Sequence, residues 1–323
     1  MVRCLLDKTR DVTPKEADDL PIHLTTPSRR HFLQATGASI LLYGTGARAS
    51  EAGDVDAELV YLLNDTHIGE TQPEDSPVPT HLRQIVTKLV SLPMKPACVL
   101  INGDLALKDG QPGDYRHFAK LIHPLQEMGV DIHLTLGNHD HRNAFYEILK
   151  EQRSDEPPVE SRHISVVETQ HANLFLLDSL QKTMVTPGTI GAQQLKWLAS
   201  ALDRLQKKPA IIVAHHNPRL GGDPLHFPGG LIDSQELWDV LGPRKWVKAY
   251  IHGHIHDRSY ATHQGIHILN MPATSYVADS TKSTTGWTTA RFAAHGVTLT
   301  TYTSNAQHHW NGESKMLTWR SAQ

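Results

Sequence analysis

The sequence predicts an α/β fold built on two β-sheets. Three observations carry this. Apolar runs of strand length alternate with stretches of helical period from residue 59 to residue 251. A polar cluster follows most of the apolar runs, as it does where a buried strand ends at a ligand crevice. Beyond residue 257 the helical period stops and four short strand patterns remain, so the C-terminal part, 258–323, is expected to complete the second sheet.

The elements follow in order. Leu59–Leu63 is a five-residue apolar run that ends in Asn64-Asp65, which reads as a buried strand. Residues 81–92 carry apolar side chains at 82, 85, 86, 89 and 90, a helical period. A second buried strand is expected at 97–101, a helix at 115–128 and a third strand at 130–136. A short helix is expected at 143–150, then a loop rich in Pro and charge at 153–161. Segments 163–167 and 173–177 read as a strand pair. An amphipathic helix at 191–206 leads to a strand at 209–214, a helix at 234–241 and a strand at 246–251. The last expected strands are 258–262, 266–270, 287–293 and 296–302.

Composition removes several function classes. A formal net charge of −3 offers no basic surface for nucleic acid. Two cysteines exclude a disulfide-rich scaffold and a thiolate-built zinc module. The count of 22 histidines gives metal binding a prior, although surface histidines alone could produce it.

The first 49 residues read as an address rather than part of the fold. Ser28-Arg29-Arg30-His31-Phe32-Leu33 precedes a mildly apolar stretch, Ala35 to Gly46, and then the small-x-small site Ala47-Arg48-Ala49. That layout is an export signal, and the paired arginines resemble the twin-arginine type. Its apolar part is too short to span a bilayer. The residues before Ser28 are polar and are expected to be disordered. Cleavage after Ala49 would leave a mature domain, 50–323, with a net charge of −5 and Cys98 as its one cysteine. The expected partner of the leader is the twin-arginine export machinery, and the expected location is periplasmic or extracellular. No later apolar run reaches the length of a membrane span.

Five polar clusters sit after apolar strands: Asp65-Thr66-His67, Gly103-Asp104, Gly137-Asn138-His139-Asp140, His215-His216 and Gly253-His254-Ile255-His256. Imidazole and carboxylate without thiolate suit zinc, manganese or iron. A two-metal site needs one ligand that both ions share, and the Asp104 carboxylate is the candidate. Gly103, Gly137 and Gly253 are expected to permit backbone conformations closed to other residues at sharp turns.

Each residue also has a plainer role. His67 or His215 alone would be an ordinary hydrogen-bonded histidine, Asn138 a turn residue and Asp104 a helix cap. The joint pattern outweighs these.

In this order the strings resemble the calcineurin-like metallophosphoesterases, over about residues 58–275, and most resemble a bacterial phosphodiesterase-like branch. The resemblance implies a four-layer α/β/β/α sandwich of two mixed sheets, with a binuclear site at the strand C-termini. It implies that Asp65, His67 and His256 hold one divalent ion, that Asn138, His215 and His254 hold the other, and that Asp104 bridges. His139 would be the catalytic residue, stabilising the transition state or protonating the leaving group. The implied reaction is hydrolysis of a small phosphoester, a diester by preference, through in-line attack of metal-bound hydroxide. A monoesterase or pyrophosphatase, or a catalytically silent metal-binding module, are the alternatives.

One position departs from the family. Leu107 stands where related enzymes place a tyrosine ligand or an aspartate that orients the catalytic histidine. Asp109 is two residues displaced, so the group that orients His139 is open. Asp140 is expected to cap the next helix, with orientation of His139 as the alternative. His141, His216 and His252 adjoin the motifs and read equally as supports of the ligands or as structural residues. Arg142 and Arg219 lie near motif loops and could bind phosphate oxygens, or be ordinary surface arginines. Trp287, His226-Phe227 and Tyr276 lie in segments that could wall the cleft, with packing the expected role.

Overall fold

The computed structural model describes residues 24–25, 55–220 and 229–321. Two mixed sheets lie face to face. The first holds β2 (Val55–Asn64), β3 (Lys95–Asn102), β4 (Asp131–Thr135), β11 (Gly286–Ala293), β12 (Gly296–Thr303) and β13 (Ser314–Thr318), in the order β13-β12-β11-β2-β3-β4. The second holds β1 (Leu24–Thr25), β5 (Ser165–Glu168), β6 (Asn173–Leu176), β7 (Ala210–Val213), β8 (Val247–His252), β9 (Ser259–His263) and β10 (Ile266–Asn270), in the order β1-β5-β6-β7-β8-β10-β9. In each sheet the strands that lead to the site, β2, β3 and β4 or β7 and β8, run parallel.

The apolar runs are continuous because each strand serves two cores. Along β2 and β3, Val60, Leu62, Cys98 and Leu100 face the opposite sheet. Their neighbours Tyr61, Leu63, Val99 and Ile101 face α1 (Pro77–Val90), α2 (Pro112–Glu127) and α3 (Arg142–Ile148). In the other sheet Ile211, Val213 and Ile251 point inward. Ile212 and Tyr250 pack on α4 (Ala192–Arg204) and α5 (Ser234–Leu241). Helix, sheet, sheet, helix is the expected four-layer order. The strand expected at 163–167 runs 165–168, and the remaining expected strands match within a few residues.

Two differences have clear causes. Helix α1 begins at Pro77, four residues before the apolar period reveals it. Proline suits the first helical turn, where its missing N–H has no partner to lose. Strand β13 has no expected counterpart: four of its five residues are exposed, so it carries almost no apolar signal, and it forms by pairing with β12. Of residues 1–49, expected to be a leader, only Leu24–Thr25 is described, as a strand beside β5. The expected twin-arginine motif, apolar stretch and cleavage site, and His226-Phe227, lie outside the described residues.

Candidate functional site

The loops that leave β2, β3, β4, β7 and β8 meet at one end of the sandwich. They bring the expected ligands into two groups. Asp65, His67, Asp104 and His256 form the first. There His67 Nε2 lies 3.1 Å from His256 Nε2, and His256 Nε2 lies 3.2 Å from Asp65 Oδ1. His215, His216 and His254 form the second.

Asp104 stands between them. Its Oδ2 is 3.7 Å from His67 Nε2 and 3.2 Å from His215 Nε2. Its Oδ1 accepts a 2.9 Å hydrogen bond from the His139 backbone N–H. One carboxylate oxygen therefore faces both groups, which is where a shared ligand must be.

Asn138 joins them from β4. Its side-chain oxygen is buried and has no hydrogen-bond partner. Such an acceptor costs about 1–3 kcal/mol unless something satisfies it. A cation would do so, and the oxygen and imidazole donors suit a divalent ion of the zinc, manganese or iron kind. His216, outside the expected ligand set, is buried in the second group, with Nδ1 2.8 Å from Ser179 Oγ. His252 is buried and donates from Nδ1 to the Gly253 carbonyl, 3.0 Å. His141 caps α3, accepting from the Ala144 N–H at 3.4 Å.

The backbone is strained at the ligands. Among the described residues, eight other than glycine have positive φ, and five of them are Asp65, His67, Asp104, His254 and His256. Each such residue costs about 1 kcal/mol or more, and persists only where its surroundings over-determine it. They do so here. The Asp65, His67 and Ile68 N–H groups donate to the carbonyls of Gly103, Asp104 and Leu105 at 2.9–3.1 Å, zipping the two loops together. Asn102 fastens three strand ends: it accepts from Thr135 Oγ1 at 2.6 Å, donates to the Ala214 carbonyl at 3.1 Å, and accepts from His215 Nδ1 at 3.1 Å. The Asn64 side chain donates to Asp65. The sequence marks Asn64 only as the polar end of a strand and does not single out Asn102, although each ends an apolar run and is polar where burial would otherwise be complete.

The three motif glycines do not share one purpose. Gly103 has φ 70°, as expected. Gly137 and Gly253 have no positive φ; they are there for space. A Cβ at Gly137 would lie 2.5 Å from the Asp104 nitrogen and closer still to its Oδ1. A Cβ at Gly253 would lie 2.7 Å from Asn64 Nδ2, against the Asp65 carboxylate.

Charge is distributed as a cation site requires. Burial raises the pKa of Asp65 and Asp104, yet His256 and His215 beside the first, and His215 and His67 beside the second, outweigh it and hold both carboxylates well below their ordinary range. Burial lowers His215, but Asp104 and Asp65 overcome it and raise the imidazole to about 9. Burial keeps His67 down at about 4 and His254 at about 3. The cluster thus holds protons on some imidazoles against fixed anions, in places that metal ions would take.

The orienting group of His139 is a backbone carbonyl. Its Nδ1 donates to the Lys108 C=O at 2.7 Å. A carbonyl only accepts, so Nδ1 carries the proton and Nε2 is the atom left for a ligand. The ring stands 5.1 Å from that of His67. Leu107 thus displaces the orienting role by one residue, from a side chain to the next main chain.

Asp140 neither orients His139 nor caps α3. It accepts from the N–H groups of Gly137, Leu105 and Ala106 and from the Tyr115 hydroxyl, at 2.9–3.2 Å. It clamps the β3 and β4 loops together. Burial pushes its pKa up to about 6, with the Asp104 charge adding to the rise.

Arg142 is engaged by another side chain. Its guanidinium grips Asp178 through two bonds, Nε–Oδ2 2.6 Å and Nη2–Oδ1 2.8 Å. Arg219 is exposed, and its backbone N–H donates to Ser234 Oγ at 2.7 Å. Trp287 is a packing residue, stacked on Tyr302 and edge-on to Tyr61. Tyr276 reverses its expectation. Its ring stands 5.4 Å from that of His67 and 5.2 Å from that of His256, so it walls the site.

This geometry agrees with the comparisons. Residues 59–258 match the calcineurin-like phosphoesterase family. The chain belongs to that family. It is a metal-dependent phosphoester hydrolase of the calcineurin-like type. It is 28% identical to a cAMP/cGMP dual specificity phosphodiesterase of Mycobacterium tuberculosis, over 78% of both chains. It is 31% identical to a 3',5'-cyclic-nucleotide phosphodiesterase of a Nostoc species, over 58% of this chain and 65% of the other. A dimetal phosphatase from Danio rerio shares the fold with a TM-score of 0.63 at 16% identity, covering 82% of this chain and 99% of that one. Among the described residues no helix is long and apolar enough to cross a membrane.

Proposed function

We propose that this phosphoesterase is an exported phosphodiesterase that hydrolyses cyclic nucleotides with two divalent metal ions. The observation that carries the binuclear reading is the single Asp104 oxygen facing both ligand groups. Asp65, His67 and His256 would hold one ion and Asn138, His215 and His254 the other, with Asp104 as the residue both would share. When bound, two such ions supply Lewis acidity and activate water at neutral pH.

The chain's own residues do the rest. The zipped loops and the spaces left by Gly137 and Gly253 fix the carboxylates before substrate arrives. His139, held at Nδ1, presents Nε2 to the phosphoryl group and, when protonated there, donates to the departing oxygen. The diester preference is supported by two facts. Arg142 is committed to Asp178, which withdraws a cation that a doubly charged monoester would use. The relatives named above act on cyclic nucleotides.

Purified protein loaded with manganese, iron or zinc should hydrolyse 3',5'-cyclic nucleotides faster than nucleoside monophosphates or pyrophosphate. Preference for a monoester or pyrophosphate would overturn the diester reading. Bound metal without turnover of any phosphoester would favour a silent module. Asp104→Ala and Asn138→Ala should both abolish turnover, and near-normal rates in both would overturn the ligand assignment.

Export rests on Arg29-Arg30 before the apolar stretch and Ala47-Arg48-Ala49 after it. Residues 1–54 fused to a folded reporter should send it out of the cytoplasm. Replacing both arginines by lysine should retain it, and unchanged export would overturn the twin-arginine assignment.

A further inference from the structure

Among the described residues, part of the surface beside the metal cluster is apolar. Three of the nine exposed large hydrophobic side chains among the described residues adjoin the ligand segments: Leu107 at 38% exposure, Met184 at 49% and Tyr276 at 42%. The Leu107 N–H donates to the Ile68 carbonyl, next to His67, and the Met184 N–H donates to the Asn138 carbonyl. Tyr276 meets the rings of His67 and His256 edge to face. Of the three, Tyr276 is the one whose side chain touches the ligands, and an exposed aromatic ring at a polar site is suited to cover an apolar part of a ligand.

Tyr276 is also held firmly. Residues 271–275 before it are buried, and it is the first exposed side chain after them. Thr274 and Ser275 donate from their N–H groups to the carbonyls of Asn64 and Asp65, at 2.8 and 3.4 Å. Thr274 Oγ1 accepts from the Asn64 N–H at 3.1 Å, and His81 Nδ1 donates to the Ser275 carbonyl at 3.0 Å. The loop is therefore pinned to the strand end that carries the first ligand. A ring so placed binds at little cost in conformational freedom.

We propose that Tyr276 is a specificity-determining residue whose ring stacks on the base of a nucleotide substrate, with Leu107 and Met184 completing an apolar rim. The inference rests on the nucleotide reading above and names the side chain that would enforce it. Every nucleobase presents a π-face, so the ring favours nucleotides over sugar phosphates without choosing one base.

The test uses hydrolysis of bis(4-nitrophenyl) phosphate as a reporter, with adenosine 5'-monophosphate and ribose 5-phosphate as competing inhibitors. Cyclic-nucleotide turnover is measured beside it. In the natural protein the nucleotide should inhibit about tenfold more tightly than the sugar phosphate, the scale of one stacked base. Tyr276→Ala should remove that preference with bound metal unchanged, and should raise KM for a cyclic nucleotide while moving kcat little. Tyr276→Phe, which keeps the ring, should retain the preference. A natural protein without the preference, a Tyr276→Ala variant that keeps it, or a Tyr276→Phe variant that loses it would each overturn the inference. Failure to turn over cyclic nucleotides would instead overturn the substrate reading, because the inhibition measurement does not depend on it.

Discussion

Gly137→Ala isolates the spatial argument at the site. Gly137 has no positive φ, so alanine fits its backbone, and any effect comes from the added methyl group. That carbon would lie 2.5 Å from the Asp104 nitrogen and nearer to its Oδ1. Ordinary contact needs about 3.5 Å, so the shared carboxylate or the Asn138 loop must move by about 1 Å. The nitrogen belongs to a strained residue on a zipped loop and cannot yield as a flexible side chain would. A displacement of about 1 Å at a reacting centre costs on the order of 100-fold in rate. The expected outcome is a loss of about 100-fold in kcat/KM, with weaker retention of metal by elemental analysis after dialysis. Gly69→Ala is the control. Its new methyl group would meet side chains outside the ligand set, Leu107 Cδ2 at 2.8 Å and Cβ at 3.1 Å and Gln72 Cγ at 3.5 Å, and no ligand backbone. It should leave metal content and turnover near normal. A Gly137→Ala enzyme that keeps its metal and loses less than about threefold in rate would refute the reasoning.

The other predictions concern groups around the same centre. His139→Ala should lower kcat by about 100-fold or more while both metals stay bound, checked by steady-state kinetics beside elemental analysis. Metal affinity should rise with pH. His215, raised to about 9 in the metal-free protein, must lose its proton to ligate, so binding releases protons, and calorimetry in buffers of different ionisation enthalpy should count them. The same shift gives the metal-free protein stability that is present in full below about 6.5 and lost as pH rises through about 9, which denaturant unfolding across that window should show. Arg142→Met should destabilise the fold by up to about 3 kcal/mol, because the buried Asp178 carboxylate loses its two-bond partner and keeps only the His163 and Leu180 N–H groups and the more distant Arg162, and should leave KM for substrate near normal. A raised KM without loss of stability would return Arg142 to the phosphate.

Much of the fold is legible in the sequence because burial is recorded there. Runs such as Leu59–Leu63 and Ala97–Ile101 are apolar on both faces, and only a sheet covered on both sides asks for that. The ligand residues are legible for the same reason. Asp65, Asp104, Asn138, His215 and His254 are polar where burial continues, and they recur at successive strand ends in one order. Strand β13 was not legible, since an exposed edge strand takes its conformation from its partner.

What the sequence determined by itself is therefore the α/β architecture and the set of residue types at the site. Only the tertiary structure decided what each does there. It turned Asp140 from a cap into a clamp, gave Arg142 to Asp178, set the Lys108 carbonyl behind His139 and stood Tyr276 over His67 and His256. The physical reason is range. Burial and periodicity are properties of a residue and its near neighbours along the chain. A hydrogen bond from position 139 to 108, or a ring contact between 276 and 67, exists only after distant loops have closed on one another.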